Sequence, residues 1–328
     1  MPPDQRFVSY AQNAEDVVLW RALRDVPAGR YVEVGANHPV GGSITRAFYD
    51  RGWSGIEIEP VSEFVEAFRE ARPNDVVVQA AITDAAVDTV TMHVIEGTGL
   101  STLDDAIAGV HRGSGWATRD AQVPARRLDD VLSEHLTPSD DIHFMVVDTE
   151  GSERAVLATV DLRRWRPWVL VVEATAPNST RQTHLEWEEL VTAGGYEFCL
   201  FDGLSRFYVA TERAAELREA LSVPANPLDD FITHRERVWE SELHQLQARR
   251  DEESALLRSQ NEELIQEVIR WRGAVLARWA SATGAGTATQ GHEVVRLRQQ
   301  LADTQATVSW RVTAPLRAVQ SRRLRGWR

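Results

Sequence analysis

Apolar positions over roughly the first 230 residues switch repeatedly between short runs that fit strands and spacings of three and four that fit helices. Residues 7–24 place Val17, Val18, Trp20 and Leu23 at helical spacing, which predicts a helix. Strands are predicted near residues 30–34, 54–58, 75–79, 142–147, 168–173, 196–201 and 205–210, with helical patterns between them. Strands alternating with helices give a mostly parallel sheet. The last two strands flank the turn signal Asp202-Gly203 and read as a hairpin, which would supply an antiparallel edge strand. Between the third and fourth strands lies a long insertion, residues 86–130, in which the alternation from Val87 to Ile95 predicts an extra strand. Insertions on the carboxyl side of such sheets commonly cap an active site.

The pattern changes after Pro224-Ala225-Asn226-Pro227. Trp239, Leu243 and Leu246, then Leu257, Leu264 and Trp271, recur at coiled-coil spacing, interrupted by Arg250 and Glu253. Ser281 to Thr287 is too glycine-rich to stay helical, and a second seam follows through Val294, Leu297, Leu301, Thr304 and Val308. The reading is four parts: a catalytic-type domain over 1–233, a coiled-coil helix over 234–280, a flexible linker over 281–292, and a second helix with a basic tail over 293–328. Such helices fit an intramolecular hairpin or an intermolecular bundle equally well.

Composition narrows the chemistry. With 328 residues and 43% hydrophobic content, the chain can bury one sizeable core and leave about a hundred residues over. A single cysteine, Cys199, excludes a disulfide framework and a cysteine-based zinc site, in keeping with a reducing cytoplasm. The N-terminus has no signal-peptide pattern, and no apolar run approaches the length of a membrane span. All 36 basic residues are arginine, so Schiff-base catalysis, a P-loop lysine and a lysine base are absent. A net charge of −13 argues against nucleic-acid binding. The arginine-rich end, Arg322 to Arg328, allows at most a peripheral contact with an anionic membrane face.

Two strand ends carry the candidate ligand chemistry. Gly35, closing Tyr31-Val32-Glu33-Val34, lets the chain turn so that backbone N–H groups face a ligand, and Glu59 ends the next strand where it can accept from two ribose hydroxyls. The turn reads Gly35-Ala36-Asn37-His38-Pro39-Val40-Gly41, with Asn37 in place of the second glycine of a dinucleotide fingerprint. That disfavours a pyrophosphate, hence a nicotinamide dehydrogenase, and leaves room for a nucleoside bearing an amino acid, such as S-adenosylmethionine (SAM). The fourth strand runs into Asp148-Thr149-Glu150 and the fifth ends at Glu173, at the same sheet edge. Methyl transfer to oxygen needs a base, and the candidates are Asp148, Glu150, His38 and His184, with Glu173 beside them. The same acids offer oxygen ligands to a divalent metal such as Mg, although their spacing fixes no coordination set. Competing structural readings are helix capping for Asp148 and Glu150, turn capping for His38, and a surface helix position for His184.

In this order, Ser9 to Asp16, Tyr31 to Pro39, Gly52 to Pro60, Asp148 to Glu153, Phe201 to Val209 and Pro224 to Phe231 resemble the FkbM-type SAM-dependent methyltransferases. The resemblance covers residues 8–233. It implies a Rossmann-like class I methyltransferase fold with a seven-stranded sheet, here followed by a helical coiled coil. It also implies O-methylation of a sugar or glycan hydroxyl. Glu33, Gly35 and Asn37 would form the methionine-side loop, Glu59 the ribose acid, and Asp148 and Glu150 the catalytic edge. Ala80-Ala81-Ile82-Thr83-Asp84 matches the segment near adenine loosely, which makes Asp84 a cofactor contact by resemblance alone, and Thr149 stands where a valine is usual. Ser309 to Arg317 is similar to a short signature after coiled coils in bacterial cell-surface polysaccharide enzymes. That would put the protein in the cytoplasm or at the inner membrane face, as a homo-oligomer or beside a glycosyltransferase. The opposing class is a non-catalytic scaffold carrying a degenerate methyltransferase domain.

Overall fold

A computed structural model describes residues 6–95, 98–284 and 290–313. Its elements in chain order begin β1 (Phe7–Ser9), α1 (Glu15–Leu23), β2 (Arg30–Val34), α2 (Arg46–Tyr49), β3 (Ser54–Ile58), α3 (Ser62–Ala71), β4 (Val76–Val78) and β5 (Ala81–Ile82). They continue through β6 (Thr89–Ile95), α4 (Asp105–Gly113), β7 (Thr118–Arg126), α5 (Leu128–His135), β8 (Phe144–Val147), α6 (Glu153–Leu157) and β9 (Val169–Glu173). The rest are α7 (Glu188–Ala193), β10 (Tyr196–Phe201), β11 (Ser205–Ala210), α8 (Ala214–Leu221), β12 (Phe231–Thr233), α9 (His234–Gly284), α10 (Gln290–Ala306) and α11 (Val308–Val312).

The central sheet has the order β10-β11-β9-β8-β2-β3-β4. The strands from β9 to β4 are parallel, and β11 runs antiparallel to both of its neighbours. The antiparallel strand is therefore not the edge strand that the hairpin predicts. Phe207, Tyr208 and Val209 of β11 are fully buried, so it belongs inside, whereas β10 leaves Glu197 and Phe198 partly open and closes the edge. Val32 and Val34 of β2 pack into the core on one face, and Tyr31 into the core on the other, as the period of two requires.

The predicted helix over 7–24 is divided. Phe7–Ser9 is a strand paired in parallel with Phe231–Thr233, and the helix begins only at Glu15. A partner more than two hundred residues away overrides the local pattern, which carries no sign of it. The insertion forms a separate small sheet in which β6 pairs antiparallel with β7, and α4 lies between them in sequence.

Residues 1–242 form one compact unit and 243–328 a second. α9 continues through Ser281–Gly284, beyond the start of the predicted linker, because a helix of such length carries a terminal glycine at little cost. Linker residues 285–289 and the basic tail, 314–328, lie outside the described residues. Among those described, no helix is long and apolar enough to cross a membrane.

Candidate functional site

The turn after β2 is fixed by its contacts. Gly35 has φ +85°, and a Cβ there would lie 1.7 Å from the Asp148 carbonyl oxygen, so only glycine lets this loop pass the end of β8. Asn37 follows in the left-handed region at φ 52°, with its N–H donating to Glu59 Oε2 at 2.8 Å. Glu59 Oε1 accepts from the Val61 N–H at 2.7 Å. One buried carboxylate thus joins the ends of β2 and β3, and burial pushes it up to about 7.

Around this joint lies a narrow cleft. Gly35, Asn37 and Glu59 give it a polar end, and Val61, Phe64, Ala81, Ile82 and Met92 give it apolar walls. The insertion roofs it through Met92, Thr98, Gly99, Ser101 and Leu103. His93 helps to hold that roof. Its ring nitrogens lie 2.7 Å from Asp120 Oδ1 and 2.8 Å from Asp105 Oδ1, and these carboxylates raise its pKa.

A second, broader cleft opens beside the first. Its walls come from the 9–15 loop, residues 173–180, Leu204-Ser205 and the 233–235 segment, and they are rich in neutral hydrogen-bonding groups. The two clefts share Asn37, Gly99, Asp148 and Glu150.

Asp148, Glu150 and Glu173 bring carboxylate oxygens within 4.8 Å of one another at that junction. Burial raises all three: Asp148 to about 7, with Glu153 adding to it; Glu150 to about 8, with Asp148 adding to it; and Glu173 to about 12, with Asp148 adding to it. Three carboxyls this close in a buried site cannot all ionise at neutral pH, so the cluster holds at least one proton among them. Glu150 Oε2 and Glu173 Oε2 are buried without a partner among the described residues. Glu150 itself is held at φ 50°, in a loop pinned by Glu153 Oε1, which accepts from the N–H groups of Thr149 and Gly151 and from the Thr149 hydroxyl. Among the described residues, Asn37, Glu150 and Asn178, three of the five non-glycine residues with positive φ, line these clefts, as expected where backbone strain is retained for a function.

The sequence-predicted set divides. Gly35, Asn37, Glu59, Asp148, Glu150 and Glu173 line one or both clefts. Glu33 does not. It leaves β2 on the opposite face from Val34, with Oε2 2.7 Å from Thr45 Oγ1, and belongs to a buried cluster with Glu57 and Arg72. His38 is exposed, and its Nδ1 accepts from the N–H groups of Val40 and Gly41, so it caps the turn. Asp84 is exposed beyond the apolar wall. His184 sits in a short 3₁₀ turn with Nε2 3.9 Å from Glu188 Oε2, its pKa lowered by burial and by Arg206. None of these last four lines either cleft.

Glu15 was missed as a lining residue. It is 4% exposed, faces the broader cleft and is pushed up to about 8 by burial. Its only sequence signal is a pair of acids opening a helix, which reads as capping. Asn178 and Ser179, in a loop without periodicity, carry no signal at all.

The methyltransferase FkbM domain model matches residues 33–198. No curated protein matches the chain. Similar solved structures include methyltransferase FkbM from Methylobacillus flagellatus KT, at 14% identity over 56% of this chain and 44% of that one, TM-score 0.33. A TehB-like SAM-dependent methyltransferase from Corynebacterium glutamicum ATCC 13032 Kitasato is 10% identical over 60% of this chain and 86% of that one, TM-score 0.33. Precorrin-6y C5,15-methyltransferase from Geobacter metallireducens GS-15 is 13% identical over 63% and 95%, TM-score 0.32. The chain spans less than half the length of the first of these.

Proposed function

The chain belongs to the FkbM methyltransferase family, and from that premise we propose that it is a SAM-dependent O-methyltransferase acting on a hydroxyl of a sugar or glycan. The observation that carries this reading is the junction of the two clefts at Asp148 and Glu150. One cleft has the lining for a nucleoside with an amino-acid arm, a polar end at Gly35, Asn37 and Glu59 and apolar walls beyond it, and the other is open and polar, as a hydroxylated acceptor requires.

The residues fit the cofactor. Glu59 has both oxygens oriented by backbone N–H groups and keeps lone pairs for ribose hydroxyls, while Val61, Phe64 and Ile82 offer apolar surface to a base. SAM would supply an electrophilic methyl group on a sulfonium. The protein's part is to position the acceptor and take its proton. An acceptor hydroxyl entering from the broad cleft meets Asp148 and Glu150, whose pKa values near 7 and 8 suit a base at neutral pH. Glu173, whose pKa burial raises beside Asp148, completes the cluster on the acceptor side. The proton passes from the acceptor oxygen to this pair as oxygen gains the methyl.

Two measurements test the reading. Calorimetry with SAM and with its demethylated product should show binding, and its absence in folded protein would sink the cofactor assignment. Incubation with isotopically labelled SAM and a panel of methyl glycosides should place label on a sugar oxygen. Label on nitrogen or carbon acceptors alone would exclude O-methylation, and SAM binding without any transfer would favour the scaffold.

A further inference from the structure

The seam of α9 carries information about its partner that does not depend on the methyl-transfer reading. Leu243, Leu246, Arg250, Glu253, Leu257, Gln260 and Leu264 recur at alternating steps of three and four, so they form one stripe along the helix. The four leucines are 53–62% exposed, a row of apolar side chains left in water. Among the described residues, Arg250 has only its exposed neighbour Asp251 as an ion-pair partner, at 3.2 Å. Glu253 is exposed as well.

The two charges inside the stripe decide orientation. In a parallel, in-register pair each seam residue faces its own copy, which would set arginine against arginine and glutamate against glutamate in the contact. Like charges placed so are strongly unfavourable. In an antiparallel pair the two kinds of seam position face each other. A twofold axis passing between Asp251 and Glu252 then sets Arg250 against Glu253 of the second copy, twice, and Leu246 against Leu257, twice. Leu243 falls opposite Gln260. Charge meets opposite charge and leucine meets leucine in a single register.

We infer that α9 is a self-association surface whose occupant is the α9 of a second copy, antiparallel and centred on the Arg250 and Glu253 pair. The charged layer fixes orientation and register, a role that seam polar residues serve at some expense of stability.

Sedimentation of the full chain over a concentration series provides the test. The wild type should be a dimer. Arg250→Glu sets glutamate against Glu253 of the second copy at both layers, and Glu253→Arg sets arginine against Arg250. Each should raise the dimer dissociation constant by at least about tenfold. The double exchange should restore it. A monomeric wild type, a dimer insensitive to either single exchange, or a double variant no tighter than the single ones would overturn the proposal. Helix content by circular dichroism guards against reading misfolding as dissociation. A second arm uses a Cys199→Ser background. Leu246→Cys with Leu257→Cys should crosslink two copies on oxidation and Leu246→Cys alone should not, whereas crosslinking by the single cysteine would establish a parallel coil instead.

Discussion

Two buried groups of carboxylates flank the same sheet, and they are treated differently. On one side, Glu33 and Glu57 stand in register on neighbouring strands. Arg72, itself fully buried, reaches Glu57 Oε1 at 2.6 Å, Thr45 Oγ1 at 2.7 Å, Ser43 Oγ at 2.6 Å and the Pro39 carbonyl. On the other side, Asp148, Glu150 and Glu173 meet with no salt bridge to any of them among the described residues. Burial raises acids in both groups. The partnered cluster ties the 39–45 loop to the sheet, whereas the cation-free one faces open clefts. A cation separates structural acids from those available for chemistry.

The sharpest way to break this comparison is to neutralise the open cluster. Asp148→Asn or Glu150→Gln should reduce methyl transfer by about 10²–10⁴-fold, the range of a lost general base. Stability at pH 8 should be unchanged or higher, because each substitution removes a buried group that resists ionisation. Single-turnover rates and urea midpoints check the two halves. Retained transfer in both variants would move the base elsewhere, with Glu15 the next carboxyl facing the broad cleft.

The partnered cluster should respond in the opposite sense. Arg72→Met leaves Glu33 and Glu57 buried without their cation and should cost on the order of 3–5 kcal/mol, read from the urea midpoint. If Arg72→Met unfolds no more easily than wild type, the partnered cluster is not structural.

How far this division is legible in the sequence depends on distance along the chain. Gly35, Glu59, Asp148 and Glu173 follow from strand ends, because a parallel sheet gathers the carboxyl ends of its strands at one edge. Glu33, which the resemblance implies for the methionine-side loop, lies instead beside Glu57 on the far side of β2 from Val34, as the period of two already requires. Nothing local announces Arg72, which arrives from the end of α3. The broad cleft draws on residues 9–15, 173–180 and 233–235, and the first and last of these meet through the β1–β12 pairing and the stacking of Tyr10 on His234. Pattern reading sees elements. It does not see which loops converge.

Glu59 lies between the two groups in character, buried yet satisfied by backbone N–H donors alone. Glu59→Ala should weaken SAM binding by roughly 10–100-fold, corresponding to about 1.5–3 kcal/mol for hydrogen bonds to a charged group. Glu59→Gln should lose less, since its carbonyl oxygen still accepts. Calorimetric titration separates the two, and normal affinity in Glu59→Ala would remove the ribose assignment.

The pH dependence of stability carries a sign. Asp148 at about 7 and Glu150 at about 8 lie above ordinary values of 3.8 and 4.5. Between about pH 4.5 and 8 the folded state holds protons that the unfolded state has released, so stability falls as pH rises, by up to about 1.4 kcal/mol per pH unit for each such group. His93, raised by Asp120 and Asp105, works in the same direction as it loses its proton. Glu212 opposes them only in acid, because Arg166 holds it near 2 and its contribution is lost as pH falls through that value. Methyl transfer should rise across pH 7 to 8 as the Asp148 and Glu150 pair ionises, so activity and stability should run in opposite directions. Asp148→Asn should flatten part of the stability slope, and a wild-type midpoint that climbs from about pH 5.5 to 8.5 would show that the open cluster is ionised at little cost.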